Sequence, residues 1–259
     1  MPDRFQNKIA IVTGAAGEIG QAVIRIMLDE GARIVAVDHD GAGLSALEKT
    51  HAGHDPKILA VKADVSKADE VKRLLQEATD VFGGVDIMIN NAGIEGLVLP
   101  VEDYPEEVFD RVMAVNVRGV FLGTKYAIPA LRERGGGSIV NLASVAGMSG
   151  SAGTIAYNAS KHAVVGMTRS AAVGHGAENI RVNAVCPSPV TGRMMESLEA
   201  GVSPEDPLAA RDMMSQRIPM QRYAEPVEVA NLICFLCSAD AVFLNGGLYT
   251  VDGGLTASL

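Results

Sequence analysis

Apolar residues fall into two alternating kinds of run along this chain. Short, nearly unbroken blocks recur at Ile9–Val12, Ile34–Val37, Ile58–Val61, Val85–Ile89, Ser138–Leu142, Ile180–Val185 and Leu248–Val251. Blocks this short, several of them closed by Gly, Asp or Asn, suit strands buried on both faces of a parallel sheet. Between them the apolar positions take helical spacing. One stripe is Ile19, Val23, Ile26 and Met27, stopping near Gly31; another is Val71, Leu74, Leu75 and Ala78. Ser66 and Asp69 ahead of the second stripe resemble a capping-box start. Leu44–Leu47 predicts a short helix. Pro105, at a favoured first-turn position, opens a long helical stretch to about Arg134, which Gly135-Gly136-Gly137 ends. Two more helices are expected over Ala156–Val173 and Pro226–Leu236. Strands alternating with helices imply βαβ units and right-handed crossovers.

No repeat or linker divides the chain, so residues 1–259 are expected to form one domain. The long stretch without a strong pattern, residues 187–225, is expected to be a substrate-binding loop or lid rather than a linker. It holds five of the 11 Met residues: Met194, Met195, Met213, Met214 and Met220. Polarizable, flexible Met suits an adaptable apolar lid, although amphipathic helices packed on the body would carry the same residues.

Composition narrows the partners. The 22 Lys+Arg against 31 Asp+Glu give a net charge of −9, which argues against a phosphate-backbone binder. Absence of Trp and 4% aromatic content argue against a stacking surface for single strands. No apolar run approaches the ~18–20 residues of a membrane span, and Met1–Lys8 has no apolar signal core. Three Cys are too few for a disulfide framework. A cytoplasmic protein with neither nucleic-acid nor membrane partners is therefore expected. Its 28 Gly imply tight turns or close backbone approaches.

The chemistry gathers at the ends of the strands. Thr13-Gly14-Ala15-Ala16-Gly17-Glu18-Ile19-Gly20 lies between the first strand and the first helix, where glycines let backbone N–H groups approach a pyrophosphate. Asp38 closes the second strand 24 residues after Gly14, near the ~20 expected of an acid that hydrogen-bonds an adenosine ribose. Its charge would repel a 2′-phosphate, and no Lys or Arg lies in the loop or directly after it, so NAD is expected over NADP. Tyr157 and Lys161 share a helix face at i and i+4. A nearby Lys⁺ favours phenolate, bringing the Tyr pKa down from ~10. Ser144 ends the fifth strand thirteen residues earlier, and Asn116 interrupts the apolar stripe of the long helix.

Together with Asp64-Val65, Asn90-Asn91-Ala92-Gly93, Pro187 and Val251-Asp252-Gly253-Gly254, these motifs resemble the NAD-dependent, single-domain kind of short-chain dehydrogenase/reductase over nearly the whole chain. The resemblance implies a Rossmann-type doubly wound parallel β-sheet flanked by helices on both faces, a three-layer α/β/α fold. It implies hydride transfer between a secondary alcohol and a ketone. Tyr157 would exchange the proton, Lys161 would lower its pKa and hold the nicotinamide ribose, Ser144 would bind the reacting oxygen, and Asn116 would hold a water relay. Cofactor contacts are expected from Gly14, Gly17, Glu18, Ile19, Gly20, Asp38, Asp64, Val65, Asn91, Ala92, Gly93, Pro187, Val190 and Thr191, besides Tyr157 and Lys161. Substrate contacts are expected from Ser144, Glu95, Met148, Tyr157, Met194 and Met195. A homotetramer is implied, with Gly119, Gly123 and Gly166 permitting close approach of partner copies. An NADP(H)-type carbonyl or 3-oxoacyl reductase and a non-catalytic NAD-binding scaffold stand as alternatives.

Two positions depart from the family pattern. Glu18 stands where a glycine is usual, and its carboxylate would repel a pyrophosphate unless it points to solvent. Ser188 replaces the glycine after Pro187, and Thr191 comes one place early. No metal site is indicated: Cys234 and Cys237 read as core packing, Cys186 as buried packing near the site, and His51 and His54 as surface loop residues. Arg193, Arg211, Arg217 and Arg222 leave an anionic substrate group or a solvated face open.

Overall fold

The computed structural model describes residues 3–51 and 57–258, so His54 lies outside the described residues. Seven parallel strands form one sheet: β1 (Ile9–Thr13), β2 (Arg33–Asp38), β3 (Ile58–Lys62), β4 (Ile87–Asn90), β5 (Gly137–Leu142), β6 (Ile180–Pro187) and β7 (Leu248–Val251). Their spatial order is β3-β2-β1-β4-β5-β6-β7. The chain winds outward from β1 in one direction and from β4 in the other, so the crevice at their carboxyl ends is the topological switch point.

Strict side-chain alternation explains why these blocks carry so few polar residues. Along β1, Ala10 and Val12 pack with α1 (Glu18–Asp29) and α9 (Pro226–Cys237) on one face. Ile9 and Ile11 pack with α3 (Ala68–Phe82) and α5 (Val120–Glu133) on the other. Strand β2 divides the same way, Ile34 and Ala36 against Val35 and Val37. The short α2 (Gly41–Thr50) joins the first layer through Leu44 and Leu47, and α6 (Ile155–His175) joins the second. This is the three-layer doubly wound architecture.

Several local expectations are corrected. Helix α3 is not opened by a Ser66 capping box: Lys67 takes the cap position without a side-chain bond. Ser66 instead turns back on Asp64, donating from N and Oγ to Oδ1 at 2.9 and 2.7 Å, because the nearer carboxylate wins the local competition. The long helix from Pro105 is divided into α4 (Glu106–Met113), a π-helical segment over 114–119, and α5. Residues 187–225 are not irregular; they hold α7 (Arg193–Val202) and α8 (Pro207–Gln216). Gly119 and Gly123 face inward: a Cβ would lie 2.9 Å from Val65 Cγ2 at the first and 2.1 Å from Asn90 Oδ1 at the second. Gly119 serves packing of the π-helical segment on Val65 and Gly123 that of α5 on β4, whereas Gly166 has open space before it. Cys186, Cys234 and Cys237 are buried and unpaired.

Candidate active site

The glycine loop turns sharply at the end of β1. Gly14 has φ +65°, and a Cβ there would stand 2.9 Å from the Ala92 Cα. A Cβ on Gly20 would stand 2.3 Å from the Gly14 carbonyl oxygen, so helix α1 can reach the strand only with glycine at that position. Gly17 is the cap residue of α1, exposed and without a side-chain cap. The first N–H groups of a helix lack intrahelical acceptors. Those of Glu18, Ile19 and Gly20 therefore face a doubly negative group well, and the loop fits a dinucleotide pyrophosphate.

Asp38 braces this loop from the neighbouring strand. Its carboxylate accepts from Ala16 N and Asp40 N, each at 3.0 Å, and the residue is buried. Asn91 joins the two halves of the switch point: its Nδ2 donates to the Thr13 and Gly14 carbonyls at 2.9 and 3.0 Å. Thr13 returns the contact, its hydroxyl accepting from Asn91 N and Ala92 N. The amide hydrogens of Asn91 are thus spent on the protein, leaving its oxygen for a ligand. Asp64 and Val65 follow β3; Asp64 accepts from Ser66, and Val65 packs against Gly119.

Asn116 sits in the π-helical segment and is buried. Its Nδ2 donates to the Ile94 carbonyl and Ser160 Oγ, and its Oδ1 accepts from Ile94 N at 2.8 Å. It pins the loop after β4 to helix α6. A Cβ built on Gly93 would lie 3.4 Å from Asn116 Oδ1 and 3.7 Å from Lys161 Nζ, so these residues meet around that glycine.

Helix α6 carries Tyr157 and Lys161, and β5 ends next to it at Ser144. Ser144 Oγ accepts from Ala146 N at 3.1 Å and donates to the Pro187 carbonyl at 3.3 Å. Lys161 Nζ lies 5.4 Å from the centre of the Tyr157 ring and donates to the Leu142 carbonyl at 2.7 Å. Burial pushes the Tyr157 phenol up to about 12; the neighbouring Ser144 hydroxyl acts downward and the charge of Glu95 acts upward. Burial also holds Lys161 down at about 8. The expected lowering of the phenol by Lys161 is therefore corrected. Desolvation dominates both groups, and the ammonium is aimed at a backbone carbonyl rather than at the phenol oxygen.

A glycine cradle, an acid closing β2 and a Ser–Tyr–Lys cluster at the carboxyl edge of a doubly wound sheet match one family. The family described as enoyl-(acyl carrier protein) reductase matches residues 14–256. Levodione reductase of Leifsonia aquatica is 37% identical over 257 residues, covering 98% of this chain and 96% of that protein. A crystal structure of a levodione reductase, 36% identical, superposes with a TM-score of 0.95 over 98% of this chain and 100% of that chain. The chain is a short-chain dehydrogenase/reductase. Meso-2,3-butanediol dehydrogenase of Serratia marcescens is 38% identical over 260 residues, 98% of this chain and 97% of that protein. The NAD⁺-bound structure of a xylitol dehydrogenase aligns at 31% identity and a TM-score of 0.91, covering 96% and 99%. This short-chain dehydrogenase/reductase is an alcohol–ketone oxidoreductase that uses a nicotinamide cofactor.

The chain after β6 shapes the far wall of the crevice. Ser188 N donates to the Val251 carbonyl and Val190 bridges to Ala224, so Pro187–Val190 is fixed to the sheet. The Thr191 hydroxyl donates to Glu225 Oε1 at 3.2 Å. Glu18 neither points freely to solvent nor stays within its own loop. Its Oε1 accepts from Arg193 N at 2.9 Å, and a Cβ on Gly192 would lie 2.7 Å from its Cδ. The carboxylate thus caps helix α7 across the crevice. Arg193 Nη1 in turn stands 3.5 Å from Oε1 of the buried Glu95. Met194 and Met195 follow in the same turn, half-buried, and Met148 lies just past Ser144, partly exposed. Among the described residues no group of three or more His, Cys, Asp or Glu is placed to hold a metal ion.

Three residues of the site received no role of their own in the sequence reading, two of them inside motifs that it quoted. Thr13 and Ser160 act through single hydroxyls, the latter accepting from Asn116 and donating to the Tyr157 carbonyl at 2.7 Å. Asn90 heads a buried ladder to Asn141 and on to Thr168 that ties β4, β5 and α6 together. A signal existed for the last: Asn90 and Asn141 are polar residues inside otherwise apolar strand blocks.

Proposed function

We propose that this enzyme interconverts a secondary alcohol and a ketone with NAD(H), using Tyr157 as the acid–base group. The observation that carries the reading is the convergence of Ser144, Tyr157 and Lys161 at the sheet edge beside the glycine loop. The nicotinamide, when bound, supplies or accepts the hydride. Tyr157 moves the proton at the substrate oxygen. Ser144 Oγ hydrogen-bonds that same oxygen where charge develops. Lys161, held down at about 8, exchanges a proton near neutral pH and supports a cofactor ribose. Asn116 keeps the Ile94 loop and α6 in register beside Lys161 and the water relay we assign there.

NAD is favoured over NADP by two carboxylates at the end of β2. Asp38 is buried against the loop and Asp40 caps α2 through Ala42 N at 3.0 Å, so a 2′-phosphate would meet repulsion from both. The chain works as one domain, and α7 with α8 forms a lid over the substrate. The exposed side chains Phe121, Val173, Val242 and Phe243 make apolar faces that a homotetramer would bury. Unpaired cysteines suit a reducing compartment, and we infer the cytoplasm.

The test is reduced-nicotinamide absorbance with a panel of secondary alcohols, run with NAD and NADP, in the wild type and in Tyr157→Phe. Turnover with NAD that vanishes in Tyr157→Phe, while calorimetric NAD binding persists, supports the reading. Near-normal turnover in that variant sinks it.

A further inference from the structure

Helix α7 is held in place with little apolar help. Of its ten residues Glu199 is the one that is buried, while Met194, Met195 and Leu198 are half-buried. Glu199 Oε1 is also the one buried side-chain polar atom without a hydrogen-bond partner among the described residues. An unpaired buried oxygen opposes docking of the helix rather than driving it. The helix also lacks a cap of its own: Gly192 takes the cap position, with no side chain to accept from the first N–H groups. Among the described residues two polar contacts reach that first turn from the body of the domain. One is the ion pair of Arg193 with Glu95 at 3.5 Å, but the Arg193 side chain is 69% exposed, and such pairs contribute little. The other is Glu18, whose Oε1 accepts from Arg193 N at 2.9 Å.

Glu18 suits that task by chemistry as well as by reach. A carboxylate at a helix N-terminus accepts from an orphan N–H and faces the positive end of the helix dipole. Gly192 leaves room for it: its φ is +145°, and a Cβ there would lie 2.7 Å from Glu18 Cδ and 2.9 Å from Oε1. The same charge stands in the first turn of α1, beside the N–H groups that fit a pyrophosphate, and repels that group. One side chain therefore acts with opposite signs on the two ligands. We propose that Glu18 is a positioning residue for the substrate lid, holding the first turn of α7 against the cofactor loop, so that it strengthens alcohol binding while weakening NAD binding. The proposal rests on the reading of α7 and α8 as a lid over a secondary alcohol, with NAD at the glycine loop. It accounts for a carboxylate at a position where the cofactor alone would favour glycine. Glu18 acts on the alcohol through α7 and takes no part in the proton or hydride transfer.

The experiment uses Glu18→Gly, which removes both charge and acceptor, and Glu18→Gln, which removes the charge but keeps an acceptor oxygen. Hydrogen exchange is read first, in nucleotide-free protein, at the amides of Ser197–Val202, beyond the one that Glu18 itself binds. Glu18→Gly should speed that exchange about fivefold, the effect of a lost N-cap, and Glu18→Gln should stay near the wild type. Kinetics with 2-butanol at saturating NAD follow. Glu18→Gly should raise KM about fivefold with a smaller change in kcat, again the size of a lost cap. Glu18→Gln should restore most of that KM, while the calorimetric Kd for NAD falls in both variants. Unchanged exchange or unchanged KM in Glu18→Gly overturns the proposal, and so does a rise in KM that Glu18→Gln shows in full. A wild type that turns over no secondary alcohol overturns the reading beneath the proposal. Exchange that still responds to Glu18→Gly then separates that failure from a failure of the hold on α7.

Discussion

Lys161 should destabilise the fold it serves, and the sign of that effect should reverse with pH. Burial holds its ammonium at about 8 instead of 10.5. At ~1.36 kcal/mol per pKa unit this is a cost of about 3 kcal/mol for carrying the charge in the folded chain near neutral pH. Replacement by Met keeps length and apolar volume but leaves the Leu142 carbonyl without its 2.7 Å donor, a loss of about 1 kcal/mol. Lys161→Met is therefore expected to be more stable than the wild type at pH 7 by about 2 kcal/mol, or about 4–8 °C in Tm. Between pH 8 and 10.5 the unfolded wild-type chain holds a proton that the folded chain has released. Wild-type stability gains from this group as pH rises through that window, and the variant lacks the gain. The difference should shrink above pH 8 and favour the wild type by about 1 kcal/mol once Lys161 is neutral in both states. The assay is denaturant unfolding of both proteins, freed of nucleotide and at equal concentration, at pH 7, 8, 9 and 10. A stability difference that stays constant across that range refutes the argument.

Two further predictions follow from close contacts. Removing the Glu18 carboxylate with Glu18→Gly should tighten NAD binding about fivefold by calorimetry, the equivalent of ~1 kcal/mol for two charges 4 Å apart in water. The Arg193 amide, losing its 2.9 Å acceptor, should exchange its hydrogen faster; an unchanged or weaker Kd speaks against repulsion at that position. Gly123→Ala would drive a Cβ to 2.1 Å from Asn90 Oδ1, whose side chain is fixed by Asn141 and Thr124. Thermal unfolding should show a loss of about 2–3 kcal/mol, and a shift within error would mean the Asn90 ladder yields easily.

The strands were legible because a parallel sheet buries both faces, so each one shows as an apolar block whatever its neighbours are. Asn116 was legible as an anomaly: a polar residue in an apolar stripe marked the place where the helix widens into a π-helical segment. Helices α7 and α8 stayed an open alternative to a loop in the sequence because their faces are only half-buried, which dilutes the periodic signal. Their start signals were local and present, with Asp206 accepting from Ala209 N at 3.0 Å ahead of Pro207. Gly119 and Gly123 show the opposite failure. Their small size was read as room for a partner copy, yet the fold turns Gly119 of the π-helical segment onto Val65 and Gly123 of α5 onto Asn90.

The sequence by itself determined the order of strands and helices, the glycine turn, the acid closing β2, and the pairing of Tyr157 with Lys161, since each depends on neighbours within a turn or a strand. Tertiary structure alone decided what the charges do. Glu18 meets a backbone N–H 175 residues away, which no local pattern encodes. Tyr157 and Lys161 move to about 12 and about 8 because the surrounding chain removes water from both. Electrostatic effects depend on burial and on distances through space, and only the folded chain sets those.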